Sequence, residues 1–129
     1  MTAIYTFNYD TSYNPSIPSV DLEIGPALGE MAMELKAVVD SGADASLVPI
    51  HYLQQLGARR SRKAWMRGTT GERVLVDLYA VAIRIGPYQQ GLLDVVGTTI
   101  DDEVIIGRDV LNHLTVTLNG PASVVELLA

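Results

Sequence analysis

Cysteine is absent from this 129-residue sequence, which excludes disulfides, thiolate metal sites and cysteine nucleophiles together. Histidine is scarce. His51 and His113 stand far apart, without metal-ligand spacing or a serine or cysteine partner, and are read as helix-surface or packing residues. No metal and no cofactor are expected. Lys and Arg number 9 against 15 Asp and Glu, leaving a formal net charge of -6, a balance that argues against nucleic acid as a partner. No apolar run approaches the roughly 18 residues of a membrane span. The opening Met1-Thr2-Ala3-Ile4-Tyr5 lacks the basic region and apolar stretch of a secretory signal. The expectation is a cytoplasmic protein with no membrane partner.

What is present describes a folded domain. Hydrophobic residues make up 48% of the chain and charged ones 19%, enough apolar surface for one core. Residues 1–19 contain Asn14-Pro15 and Ile17-Pro18 and read as an extended arm with turns, in which Tyr5 to Tyr9 alternates as a half-buried strand. Val20, Leu22 and Ile24 alternate with Asp21 and Glu23. Gly25-Pro26 ends that strand, and Met31 to Val39 returns it. A helix is predicted over Pro49 to Leu56, with Pro49 suited to the first helical position and Gly57 to the left-handed residue that follows.

Gly68-Thr69-Thr70-Gly71 reads as a hairpin tip within Trp65 to Val74. The strand beyond it is apolar on both faces, interrupted by Asp77, which predicts burial or an interface. Gly86-Pro87 turns the chain, and Leu92 to Val96 returns it. Val104-Ile105-Ile106 is a further short strand, and a short helix is expected over Asp109 to Leu114. Leu114 to Leu118 and Val124 to Leu128 then pair through an Asn119-Gly120 turn. Short strands, two short helices and no βαβ rhythm indicate an all-β domain. Arg59, Arg60, Arg62, Lys63 and Arg67 crowd nine residues. Such a patch could bind phosphate or an acidic partner, and is read here as a solvated loop after a helix.

The informative stretch is Ala37-Val38-Val39-Asp40-Ser41-Gly42-Ala43-Asp44-Ala45-Ser46. A buried strand delivers a carboxylate into a turn where glycine permits close approach and serine can hydrogen-bond across. Asp-Ser-Gly alone is a common turn. With the apolar residues before it and Ala-Asp after it, the stretch resembles the signature of the retroviral-type aspartic proteases, the retropepsins: two apolar residues, then Asp-Thr/Ser-Gly-Ala. A second block, Val95-Val96-Gly97 and then Val104-Ile105-Ile106-Gly107-Arg108-Asp109-Val110-Leu111, is similar to that family's other signature. The resemblance implies a retropepsin-like acid-protease half-barrel with a flap hairpin and one or two short helices.

It also implies roles. With one Asp-Ser-Gly per chain, a homodimer would bring two Asp40 side chains together around a water, and the pair would hold a proton as a unit. Ser41 would grip its symmetry mate, and the Gly42 carbonyl would bind substrate backbone. Asp44 would contact the substrate main chain and pair with Arg108, while Ala43, Ile106 and Gly107 support the loop. Arg67, Gly68, Thr69, Thr70 and Gly71 fall on the flap, and Thr98 and Thr99 on a substrate-lining loop. Asp101-Asp102-Glu103 in that loop reads as exposed acids rather than a selector of basic substrate side chains. Trp65 is read as structural at the flap base or as a pocket wall. Ala43 cannot donate a hydrogen bond to the aspartate, so activity is expected in mildly rather than strongly acidic conditions. Residues 119–129 form an extension expected at the dimer interface. The function implied is an aspartic endopeptidase acting on a peptide or protein substrate. The alternative is a catalytically inactive dimerisation or peptide-binding module of the same fold.

Overall fold

The alternating segments become strands whose order closes a ring. The computed structural model describes residues 3–68 and 70–128. Among them run β1 (Ile4–Asn8), β2 (Ser19–Pro26), β3 (Met33–Val39), β4 (Leu47–Pro49), α1 (Ile50–Leu56), β5 (Arg59–Arg67) and β6 (Arg73–Ile85). They are followed by β7 (Tyr88–Thr98), β8 (Val104–Ile106), α2 (Arg108–Leu111), β9 (Thr115–Asn119) and β10 (Val124–Leu128). Strands β2, β3, β8, β4, β7 and β6 pair in that order, and β6 pairs back onto β2, closing a barrel from which β5 projects as the outermost strand. A separate sheet has the order β1-β10-β9.

The barrel interior explains the apolar periodicity. Leu22 and Ile24 from β2, Val81 and Ile83 from β6, Val95 from β7 and Ile106 from β8 are at most 1% exposed and share one core. Each such side chain contributes about 1.5–3 kcal/mol by leaving water. Val125 and Leu127 of β10 join the same core, so much of the apolar C-terminal extension is buried within its own subunit. The strand apolar on both faces is β6. Its second half is flanked by β2 and β7, where Val81, Ala82, Ile83 and Ile85 are buried, whereas Arg73, Val74 and Leu75 at its start are exposed.

Three local expectations are corrected. The basic cluster is not a loop: Arg59–Arg67 is strand β5, paired with Ala80 back to Arg73 of β6. Its charges sit on the outermost strand, where cations remain hydrated and blunt an open edge. Pro49 caps α1 rather than opening it, because it ends the three-residue strand β4, too short to show periodicity. Gly57 does take the left-handed position, at φ 70. The turn between β9 and β10 is longer than Asn-Gly: Asn119 ends its strand, its side-chain oxygen accepts the Ala122 amide, and Ser123 takes φ 54 before β10 begins.

Candidate active site

Two parallel pairings position the site. Strand β3 runs alongside β8, with Val39 opposite Ile106, so the two signature blocks leave the barrel side by side although they are far apart in the sequence. Parallel neighbours leave in the same direction. The residue after β3 is Asp40, and its amide donates to the Ile106 carbonyl at 3.0 Å. The chain then turns, with the Ala43 amide on the Asp40 carbonyl at 3.2 Å and the Arg108 amide on the Ala43 carbonyl at 2.9 Å. Gly107 is where the second block meets the turn. A Cβ there would come within 2.8 Å of the backbone of Ala43 and Ala45, so only glycine lets the segments approach this closely.

Asp40 is half-buried, while Ser41 and Gly42 are exposed beside it. The Gly42 amide donates to Asp40 Oδ1 at 2.9 Å, fixing the carboxylate within its own turn. Arg108 reaches back from α2. One guanidinium nitrogen donates to the Ser41 carbonyl at 2.7 Å and the other to the Asp44 carboxylate, so the anticipated Asp44–Arg108 pair is present. Beneath the loop lies a network that the sequence did not reveal. Ser46, 1% exposed, donates from its amide to Asp109 Oδ2 at 2.9 Å and from its hydroxyl to Asp109 Oδ1 at 2.7 Å, and its hydroxyl receives the Gly107 amide at 3.0 Å. From the sequence Asp109 reads as the acidic cap of a short helix; here Gly107 is the cap and Asp109 stands in the first turn.

The remaining site residues gather a short way off. A cleft of about 430 Å³ is lined by Leu47, Ile50, Met66, Val74, Val76 and Ile100, together with Arg67, Gly68, Thr98 and Thr99. Register places Met66 opposite Val74 and Ala64 opposite Val76 on one face of the β5–β6 hairpin, with Trp65 opposite Leu75 on the other. Trp65 is 58% exposed with the Arg73 guanidinium over its ring, so it belongs to the hairpin itself and does not line the cleft. At the tip, the Gly71 amide donates to the Gly68 carbonyl, and the Thr70 hydroxyl to the Glu72 carboxylate. Thr69 lies outside the described residues. Asp40, Ser41, Gly42 and Asp44 do not line this cleft. The candidate site is therefore a clamped carboxylate loop and an apolar cleft against the β5–β6 hairpin, linked along the chain through Leu47.

Asp101 and Asp102 are exposed, as expected of loop acids, but Glu103 is half-buried. The Tyr13 hydroxyl donates to its carboxylate, and this bond pushes the tyrosine pKa up to about 12. Glu103 thus ties the N-terminal arm to the loop.

This arrangement matches known proteins. The model of the family described as retroviral aspartyl protease matches residues 15–119. The chain belongs to that family. Among solved structures it is similar to a retropepsin-like aspartic protease from Rickettsia conorii, with a TM-score of 0.67 and 12% identity over 99% of this chain and 92% of that one. It is also similar to the EIAV protease complexed with the inhibitor HBY-793, with a TM-score of 0.57 and 23% identity over 75% and 86% of the two chains. A third likeness is to a foamy viral protease-reverse transcriptase, with a TM-score of 0.52 and 17% identity over 74% of this chain and 15% of that longer one. At these identities the structural likenesses show the retropepsin fold. No curated protein sequence matches the chain. Within the family frame, β5–β6 is the flap hairpin.

Proposed function

We propose that this chain is one subunit of a homodimeric aspartic endopeptidase whose two Asp40 carboxylates activate a water between them. The observation that carries this reading is the presentation of Asp40: a core strand ends on it, the Gly42 amide orients it, and Arg108 clamps its turn from the second block. A scaffold has no use for a carboxylate held at the exposed end of a buried strand. Desolvating a second one beside it would be costly unless the pair shared a proton.

In the proposed cycle the ionised Asp40 removes a proton from water as the water oxygen attacks the scissile carbonyl carbon. The protonated Asp40 of the second subunit gives its proton to the carbonyl oxygen. The tetrahedral intermediate then collapses: the first Asp40 gives the proton it took from water to the amine nitrogen, the C–N bond breaks, and a hydroxyl of the intermediate returns a proton to the second Asp40. Ser41 steadies the two loops against each other, and Ala43, Ile106, Gly107 and Arg108 hold each loop in place. The Gly42 carbonyl and Asp44 bind substrate backbone. Arg67, Gly68, Thr69, Thr70 and Gly71 of the flap cover the peptide, and Thr98 and Thr99 line its side-chain cleft. Residues 119–129 lie at the subunit interface.

Cleavage of a peptide library at mildly acidic to neutral pH, by the wild type and by Asp40→Asn, tests the proposal. Cleavage lost in the variant supports it. An intact wild-type dimer that cleaves nothing would assign the fold to a non-catalytic peptide-binding or dimerisation module.

A further inference from the structure

The loop between β7 and β8, residues 99–103, borders two cavities. Thr99 and Ile100 line the cleft against the β5–β6 hairpin. Asp102 and Glu103 line a second cavity of about 440 Å³, whose walls include Asp10 and Tyr13 of the N-terminal arm and Tyr52 of α1. With open space on both sides, packing alone does not hold the loop. Ile100 is 92% exposed, and no backbone hydrogen bond joins residues 99–103 to another segment among the described residues. The Glu103 amide donates to Asp101 Oδ1 at 3.1 Å, inside the loop. Two side-chain contacts reach out of it. His51 on α1 stands 3.7 Å from the Asp102 carboxylate, with side chains 48% and 86% exposed, and so exposed a pair holds little. The other contact is the Tyr13 hydroxyl donating to the half-buried Glu103 carboxylate, the stronger kind of tie.

The donor of that tie stands on a firm base. Asp10 and Ile17 exchange backbone hydrogen bonds at 2.9 and 3.1 Å, closing a small hairpin around Tyr13. Inside it, Asp10 Oδ1 accepts the Ser12 amide at 3.0 Å and the Ser12 hydroxyl at 2.7 Å. The hairpin is moored at both ends. The Tyr9 amide donates to the Ser123 carbonyl at 2.9 Å, and the Pro18 carbonyl accepts the amide of Val39, the residue before Asp40, at 3.0 Å. Tyr13 is thus fixed relative to the strand that delivers Asp40, and Glu103 is fixed relative to Tyr13.

We infer that Tyr13 is a positioning residue for the peptide cleft: the arm hairpin straps down the 99–103 loop through Glu103 and so sets where Thr99 and Ile100 stand against a substrate. This rests on the proposed peptidase reading, which supplies the substrate that the loop meets. The Asp40 turn is held separately, by the Gly42 amide and by Arg108. Releasing the strap should therefore weaken binding and spare the chemical step.

Amide hydrogen exchange and peptide-cleavage kinetics on wild type, Tyr13→Phe and Glu103→Gln test this. Tyr13→Phe removes the hydroxyl and changes no charge. Its exchange over residues 99–104 should quicken about tenfold while the β2–β6 seam keeps the wild-type rate. KM should rise about fivefold, with kcat within about twofold of wild type. Glu103→Gln retains an acceptor for the tyrosine and should lie between Tyr13→Phe and wild type in both readouts. Unchanged loop exchange in Tyr13→Phe overturns the strap, and faster exchange with unchanged KM overturns the positioning role. Should the wild type cleave no peptide, the proposed function falls, and the strap stands or falls on exchange alone. If Tyr13→Phe does not fold, Glu103→Ala replaces it under the same criteria.

Discussion

Asp109 holds Ser46 twice, through the amide at 2.9 Å and the hydroxyl at 2.7 Å, and the same hydroxyl accepts the Gly107 amide at 3.0 Å. Three segments meet there: the turn after Asp40, the end of β8 and the start of α2. Ser46→Ala would leave the buried Gly107 amide unpaired and free one carboxylate oxygen. That loss costs about 1–3 kcal/mol. Thermal denaturation should show the melting temperature falling by several degrees, and Asp109→Asn, which retains an acceptor, should lose less. Unchanged melting in Ser46→Ala would mean that the network does not brace the loop.

Arg108 separates stability from positioning. Its side chain is 42% exposed and that of Asp44 76%, so the ion pair itself should add less than about 1 kcal/mol. Its geometry matters more, because the planar fork reaches the Ser41 carbonyl and Asp44 at once and a lysine can offer only a point charge. Arg108→Lys should keep a melting temperature within about 2–4 °C of wild type. It should lower kcat/KM for peptide cleavage by about tenfold or more. Equal loss of melting temperature and activity would instead mark Arg108 as a simple structural residue.

The barrel seam predicts acid sensitivity. Glu23 on β2 faces Arg84 on β6, where those strands close the ring, and takes two hydrogen bonds at 2.7 and 2.9 Å. Hydrogen bonding from Arg84 lowers the Glu23 pKa. A carboxylate lowered on folding contributes stability that is complete above its unfolded pKa and is lost as pH falls through the folded one. On the flap, Asp77 is lowered in the same sense, by Lys63 first and then Arg60. Melting temperature should therefore decline on the acid side. The decline should be shallower in Glu23→Gln, while Asp77 keeps it from vanishing. An identical acid slope in the variant would exclude the seam as its source. The same chemistry disfavours a strongly acidic working range.

The site was legible where chemistry sits on contiguous residues. Asp40-Ser41-Gly42 and Ile106-Gly107-Arg108 stood out because each element is a short motif, and parallel pairing of β3 with β8 brings them together. Strand β5 was legible only from Trp65 onward, as one arm of a hairpin, because an outer strand has no obligation to alternate and its cations mimic a solvated loop. Strand β4 was too short for any period to show. Ser46 was hidden for another reason: a serine two residues past Asp44 reads as turn chemistry until Asp109, 63 positions away, is seen to claim it. Thr98 and Thr99 were placed in a substrate-lining loop by resemblance alone. That the cleft wall opposite them is Met66, Val74 and Val76 follows only from the hairpin register.

Thr98 carries the sharpest expectation about that cleft. Its Oγ1 is buried and has no hydrogen-bond partner among the described residues, although the residue lines the space under the flap. A buried hydroxyl without a partner costs about 1–3 kcal/mol, a cost that a substrate amide or carbonyl entering the cleft would offset. Thr98→Val keeps the β-branched shape and removes the unpaired oxygen, so the free protein should melt at the same temperature or slightly higher. Peptide binding should weaken, seen as a KM raised about five- to tenfold with kcat little changed, because one neutral hydrogen bond contributes about 0.5–1.5 kcal/mol. Thr98→Ser, which keeps the hydroxyl, should restore KM. A Thr98→Val variant with unaltered KM would show that the hydroxyl faces the fold rather than the peptide.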